Sequence, residues 1–196
     1  GAMTKGLKGK ELAEIGEMYE AGIVAISDDG KSIRNSETLR KALEYAKLFN
    51  IPAISHCEDE DLSKGFVHEG GASVISGIEP IPAIAEEIIV KRDMTIAKYV
   101  KTPIHLTHIS TKGSVESIGE MKKKYDLITC DTCPHYFTLT DRATLSFDTN
   151  TKVNPPLRSK EDVKAIKEGL REEIIDIIAT DHAPHDLTSK DVEFDI

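Results

Sequence analysis

Residues 104–108 read Ile104-His105-Leu106-Thr107-His108, a short apolar run that ends on a side chain able to bind a metal or move a proton. The pattern recurs along the chain. Ile23–Ser27 leads to Asp28-Asp29, Ile51–Ser55 to His56, Leu127–Thr129 to Cys130-Asp131, and Ile174–Thr180 to Asp181. Runs this short and apolar read as strands of a parallel sheet buried on both faces. In a parallel α/β protein the carboxyl ends of the strands gather on one side, so groups far apart in sequence are expected to meet there. The pattern points to an enzyme with a metal centre.

Helical spacing fills the intervals. After Asn35-Ser36, which reads as a cap, Leu39, Ala42, Leu43, Ala46 and Phe49 fall on one face, with Glu37, Arg40, Lys41 and Lys47 on the other. A second helix opens near Ile81-Pro82, where proline suits a first turn, and runs through Ala85, Ile88, Ile89, Ile96 and Tyr99 to about Val100. Ser114 is the expected cap of a third, carrying Val115, Ile118, Met121 and Tyr125, and Ser159 with Asp162 starts a fourth, carrying Val163, Ile166 and Leu170. At the N-terminus, Leu12, Ile15 and Met18 followed by Gly22 read as a helix stopped by glycine.

Two segments break the alternation, Glu58–Pro80 and Pro134–Arg158, the second containing Pro155-Pro156. Both follow strands and are read as active-site loops. A closed eight-stranded barrel takes about 250 residues. Five strand–helix units therefore predict part of such a barrel, with open edges at Ile23–Ser27 and Ile174–Thr180 that favour self-association.

The chain has 196 residues, 39% hydrophobic and 30% charged, enough apolar material for a sizeable core. A formal net charge of −9, with Lys and Arg alternating with acidic residues on helices, argues against a nucleic-acid partner. No run approaches a membrane span and no signal-peptide pattern is present, so a soluble cytoplasmic protein is expected. Three cysteines give no disulfide framework, and the lone Cys130-x-x-Cys133 reads as structural.

Asp29, His56, His108 and Asp181 suit a divalent metal with imidazole and carboxylate ligands, zinc first, with manganese or cobalt as alternatives. By strand alternation His105 points away from the face that His108 shares with Ile104 and Leu106, so His108 is the candidate. Asp181 lies in Thr180-Asp181-His182-Ala183-Pro184-His185, where a carboxylate can shuttle a proton and His185 can bind substrate. Asn154, made rigid by Pro155-Pro156, offers a donor and an acceptor for an amide edge. Arg158 either binds a carboxylate or, the favoured reading, pairs with Glu161 or Asp162. Glu58 and Asp59 suit support of a ligand or a solvated loop. His68 is expected to be exposed, and His135 stays open between a substrate loop and a structural role.

Taken together, Ser27-Asp28-Asp29-Gly30, His56-Cys57-Glu58-Asp59, His105-x-x-His108-Ile109-Ser110-Thr111, Pro134-His135, Lys152–Arg158 and Ala179–His185 resemble class I dihydroorotase of the amidohydrolase superfamily. The resemblance implies a (β/α)8 barrel with one or two zinc ions that interconverts N-carbamoyl-L-aspartate and L-dihydroorotate in pyrimidine synthesis. Under it Asp29 is similar to a carboxylate ligand, His56 and His108 to the paired imidazole ligands, Asp181 to the metal-bound general base, and Asn154 and His185 to the substrate contacts. The five strands then correspond to the fourth to eighth of the barrel, making residues 1–196 its central part. A His-x-His pair and a substrate-binding arginine have no counterpart, so this chain is expected to bind metal weakly or not at all and to be inactive alone. Asp131, where the family usually has Glu, and Tyr136, where a second histidine is common, receive no role. The alternatives are a non-catalytic scaffold for aspartate transcarbamoylase and a related cyclic amidase acting on hydantoins or allantoin.

Overall fold

The computed structural model describes residues 1–195. Its first helix, α1 (Ile15–Glu20), ends before Gly22, which takes φ +97°, a left-handed conformation that glycine adopts at little cost. β1 (Ile26–Ser27) follows, then α2 (Ser36–Leu48), capped by Asn35 as its side chain accepts from the N–H groups of Glu37 and Thr38. β2 (Ala53–Ser55) leads into the segment read as an open loop. That segment is structured instead: β3 (Val67–His68) and β4 (Pro80–Ile81) pair in parallel around α3 (Gly71–Ser76). Because Ile81 belongs to β4, α4 (Ile84–Val100) starts later than the sequence implies, and Pro82 lies ahead of it.

β5 (Ile104–Leu106) precedes α5 (Lys112–Lys122), whose cap is Thr111 and not Ser114. Ser114 sits inside the first turn and its N–H donates to Thr111 Oγ1. β6 (Ile128–Thr132) runs longer than expected and takes Asp131 into the sheet, and α6 (Pro134–Thr138) follows. α7 (Lys160–Arg171) opens on the anticipated Ser159–Asp162 capping box, then come β7 (Ile177–Ile178) and α8 (Leu187–Lys190).

The main sheet has the order β1-β2-β5-β6-β7, with every pairing parallel. Register aligns Ile26, Ala53, Ile104 and Ile128 in one row and Ser27, Ile54, His105 and Thr129 in the next. The first row is buried in the core with Leu39, Leu43, Met94, Ala97, Ile118 and Ile166 from α2, α4, α5 and α7. Burial of each such large aliphatic side chain contributes about 1.5–3 kcal/mol. None of the second row joins that core, and Thr129 is exposed. The strands are therefore not buried on both faces. Helices cover one face only, as on the outside of a (β/α) barrel, and the other face corresponds to the barrel interior.

The expected open edge at β1 is also corrected. The Gly1 ammonium donates to Ala25 O at 2.8 Å and Ser27 N–H donates to Gly1 O at 2.8 Å, so the chain's first residues line that edge. Asp28 is spent here, its Oδ1 accepting the N–H groups of Met3 at 2.8 Å and Thr4 at 3.0 Å, and it is not free to serve a metal. At the opposite edge Ile177 and Ile178 stay 49% and 55% exposed. Cys57, Cys130 and Cys133 are all buried thiols without a disulfide.

Candidate metal centre

Asp29, His56 and His108 come off the ends of β1, β2 and β5, and one ligand atom from each lies within 4.8 Å of the other two. His56 Nδ1 faces His108 Nε2 at 2.8 Å, and Asp29 Oδ1 is 3.5 Å from the first and 3.4 Å from the second. Both imidazoles are buried. The far nitrogen of His56, Nε2, lies 2.9 Å from Glu58 Oε2, a contact that orients the ring and turns Nδ1 toward Asp29 and His108. Ser32 fixes Glu58 in turn, its hydroxyl accepting the Glu58 N–H at 2.8 Å, and Asn154 Nδ2 donates to Glu58 Oε2 at 3.2 Å. Glu58 thus takes the supporting place that the sequence left open.

The charges are mutually dependent. Contacts with His108 and then His56 hold the Asp29 carboxyl well below the usual carboxylate range. Burial opposes a charge on His56, but Asp29 and Glu58 outweigh it and raise the imidazole to about 9. Burial likewise opposes ionisation of Glu58, and His56 overcomes it, lowering the Glu58 pKa.

Behind this corner lie two groups of polar side chains that sequence reading missed or misplaced. Asp131 Oδ1 accepts the N–H of His108 at 2.7 Å, and its Oδ2 meets His105 Nε2 at 2.8 Å and the Thr107 hydroxyl at 3.0 Å. Glu86, also buried, accepts the N–H groups of Ser110 and Thr111, both at 3.1 Å. Arg158 is buried and structural as favoured, but its partners are Ser110 Oγ at 3.0 Å and Glu86 Oε2 at 3.7 Å, not Glu161 or Asp162. His68, expected at the surface, is 8% exposed and stands 3.4 Å from Arg158 Nη1. The signal for Asp131 was available in outline, since His105 and Asp131 occupy register rows on the same face of adjacent strands.

In front of the corner is a cavity of about 880 Å³ whose wall includes Asp29, His56, His108, Asn154, Asp181 and His185. The structure brings the first three into one cluster, while Asp181, Asn154 and His185 are exposed side chains on the same wall outside it. Asp181 takes φ +48°, the left-handed region that a non-glycine residue seldom occupies. His135 also lines the cavity, with a buried Nε2 that has no hydrogen-bond partner and a ring packed on Tyr136 at 4.1 Å. Burial lowers its pKa. The donor set fits a divalent cation: two imidazole nitrogens facing each other across a carboxylate need a shared positive charge, and one of the rings has its second nitrogen bound by a carboxylate.

Residues 1–114 match the Dihydro-orotase-like family. The chain belongs to that family. It is 55% identical over 197 aligned residues to the dihydroorotase of Acetivibrio thermocellus and 53% identical to that of Ruminiclostridium cellulolyticum. In both alignments it is covered completely and spans 46% of the relative, about half the length of the curated relatives it matches. Among solved structures it resembles the L-hydantoinase (dihydropyrimidinase) of Arthrobacter aurescens, with a TM-score of 0.79 and 20% identity over 97% of this chain and 44% of that one. It also resembles the dihydroorotase of Saccharomyces cerevisiae crystallised with 5-fluoroorotic acid, with a TM-score of 0.73 and 17% identity over 97% and 54% of the respective chains. At these identities the structural likeness establishes the fold alone, part of a (β/α) barrel, and agrees with the one-sided sheet.

Proposed function

We propose that the chain is the central part of a metal-dependent dihydroorotase barrel, whose reaction is the reversible cyclisation of N-carbamoyl-L-aspartate to L-dihydroorotate. The observation that carries this reading is the cluster of Asp29, His56 and His108, facing a cavity that Asn154, Asp181 and His185 also line. Membership of the dihydroorotase-like family supports it. Zinc as the metal, pyrimidine synthesis as the pathway, a cytoplasmic location and assembly into a homo-oligomer belong to the same reading. Among the described residues no helix is long and apolar enough to cross a membrane.

Asp29, His56 and His108 would hold the cation, with Asp181 beside them. When bound, it supplies Lewis acidity at the ring amide carbonyl and makes water a better nucleophile near neutral pH. In the hydrolytic direction the oxygen of water bonds to the amide carbon and the ring carbon–nitrogen bond breaks. Asp181 takes the proton from water and delivers it to the leaving nitrogen. Asn154 reads the amide edge of the substrate and His185 supplies a second contact to it. Glu58 would hold the His56 ring so that Nδ1 is presented to the cation.

The test is to assay dihydroorotate hydrolysis and the reverse cyclisation in this 196-residue chain alone and in a protein that joins it to the rest of a barrel. Activity is expected only in the second, with weak or no zinc uptake in the first. Zinc retained by the short chain through dialysis, together with turnover, would overturn the partial-barrel reading. Turnover of hydantoins in preference to dihydroorotate by the completed barrel would overturn the substrate.

A further inference from the structure

His108 sits at φ +44°, in the left-handed region that is unfavourable for a residue with a Cβ. That conformation turns the chain sharply after β5 and places the imidazole against His56 and Asp29. A backbone held in an unfavourable region needs partners that over-determine it. The N–H of His108 has one, Asp131 Oδ1 at 2.7 Å, and this carboxylate is itself fixed from the same side. Its Oδ2 meets His105 Nε2 at 2.8 Å and accepts the Thr107 hydroxyl at 3.0 Å, while His105 Nδ1 is anchored by Thr129 Oγ1 at 2.7 Å. Asp131 is 5% exposed, on a strand paired directly to β5. The far side of the turn is held too, since Ile109 N–H donates to Asp131 O at 2.9 Å.

We propose that Asp131 is a positioning residue for His108: its carboxylate, locked by His105 and Thr107, sets the left-handed turn that aims the His108 imidazole at the metal cluster. This rests on the reading of Asp29, His56 and His108 as a metal centre. It gives a place to His105, which strand alternation excludes from the cluster, and to Asp131. One carboxylate joins the His108 backbone to the side chains of His105 and Thr107, so the end of β5 and the turn beyond it move as a unit. The interaction is made from the barrel-interior face, so it fixes His108 without any contact to the cavity wall opposite.

The test compares the 196-residue chain with Asp131→Ala, Asp131→Asn and, as a control, Ile118→Val, a core truncation on the helix face of the sheet. Two readouts are taken: hydrogen exchange of the His108 amide by NMR, and Zn2+ affinity by competition with a chromophoric chelator. Asp131→Ala is expected to speed exchange at His108 selectively and to weaken Zn2+ binding about ten- to a hundredfold, the usual effect of removing a partner that orients a ligand. Asp131→Asn, which keeps one carbonyl acceptor, should fall between, and Ile118→Val should change neither selectively. Unchanged His108 exchange and unchanged affinity in folded Asp131→Ala would overturn the proposal, as would losses no larger than those of Ile118→Val. If the parent chain takes up no Zn2+ at millimolar concentration, the affinity comparison is made in the protein that joins this chain to the rest of a barrel; no Zn2+ uptake there sinks the metal reading, and His108 exchange alone then decides whether Asp131 sets the turn.

Discussion

The two sides of the cavity are held by different means. On one side His56 and His108 are 3% and 4% exposed, and Glu58 and Asp131 hold a ring nitrogen of the first and the backbone N–H of the second. On the other, Asp181 to His185 are exposed, and the stretch is tied down by a few links. Ala179 N–H donates to Thr132 O at 3.0 Å, and Lys190 Nζ reaches the carbonyls of Thr149 at 3.0 Å and Lys152 at 3.3 Å. The geometry of the candidate metal cluster is thus set inside the folded core, where low dielectric strengthens each bond, whereas the groups proposed to move the proton and bind substrate sit at a rim. The difference separates what this chain organises for itself from what further contacts on the rim must complete.

The largest expected effect tests whether the rim takes part at all. In a protein that joins this chain to the rest of the barrel, Asp181→Asn should lower kcat by about 10²–10⁴-fold, the range for loss of a general acid–base group, with the fold retained. The amide keeps the shape of the carboxylate but cannot accept the proton. Near-normal turnover would leave the exposed side without a chemical role and reduce the site to its buried corner.

Next in size is a cut in the buried side. Arg158→Met leaves Glu86 buried without its cation and should destabilise the chain by about 3–5 kcal/mol, read from urea unfolding. The matching cut at the rim, Asp186→Ala, removes an exposed cap that accepts Ser189 N–H at 2.7 Å, and should cost far less. Equal losses from the two would erase the contrast. Because Glu86 and Arg158 share partners, Glu86→Gln combined with Arg158→Met should cost less than the sum of the two.

The same contrast explains what the sequence made legible. His56 and His108 stood out because each follows an apolar run, and a ligand at a strand end is a local pattern. Asn35, Ser159 and Asp162 were equally local, since a cap is decided within three or four residues. The supporting groups were not local: His68 meets Arg158 across 90 residues of sequence, and Asp131 meets His108 across 23. Val67–His68 and Pro80–Ile81 are strands only because they pair with each other, so no periodicity announced them. One-sided burial was hidden for a related reason. Ile54 and Ile177 are as apolar as Ile26 and Ile104, which fill the core. Only the placement of α2, α4, α5 and α7 on one face shows that the first pair points elsewhere, with Ile177 49% exposed.

A smaller effect probes the link between the two sides. Asn154 is exposed, and its Nδ2 donates to Glu58, so its bond is not the fully buried kind. Asn154→Ala should raise KM for dihydroorotate by a few-fold to about tenfold, corresponding to about 0.5–1.5 kcal/mol, with kcat changed less. Equal falls in kcat and kcat/KM would mean that Asn154 acts through Glu58 and His56 and belongs to the buried side.

The smallest effect is a pH dependence confined to the buried side. Burial and then the neighbouring Arg158 cation push the His68 imidazole below its ordinary value, against weaker pulls from Asp162, Asp141 and Glu69. The folded chain therefore keeps this ring neutral where the unfolded chain, titrating near 6.5, has begun to take a proton. As pH falls below about 6.5 the unfolded state binds more protons, so stability drops, and above that pH His68 contributes no pH dependence. His56 works in the opposite sense: with its pKa raised to about 9, its contribution is complete below about 6.5 and is lost as pH rises through 9. Comparing the parent with His68→Gln cancels the His56 contribution, because both proteins share it. The expected result is a shallower loss of stability between about pH 7 and 5 in His68→Gln, followed by urea midpoints. Asp186→Asn should leave that slope alone, since the Ser189 N–H holds the Asp186 carboxyl below the usual carboxylate range and it stays ionised throughout. An unchanged slope in His68→Gln would show that the His68 ring is not kept neutral by burial beside Arg158.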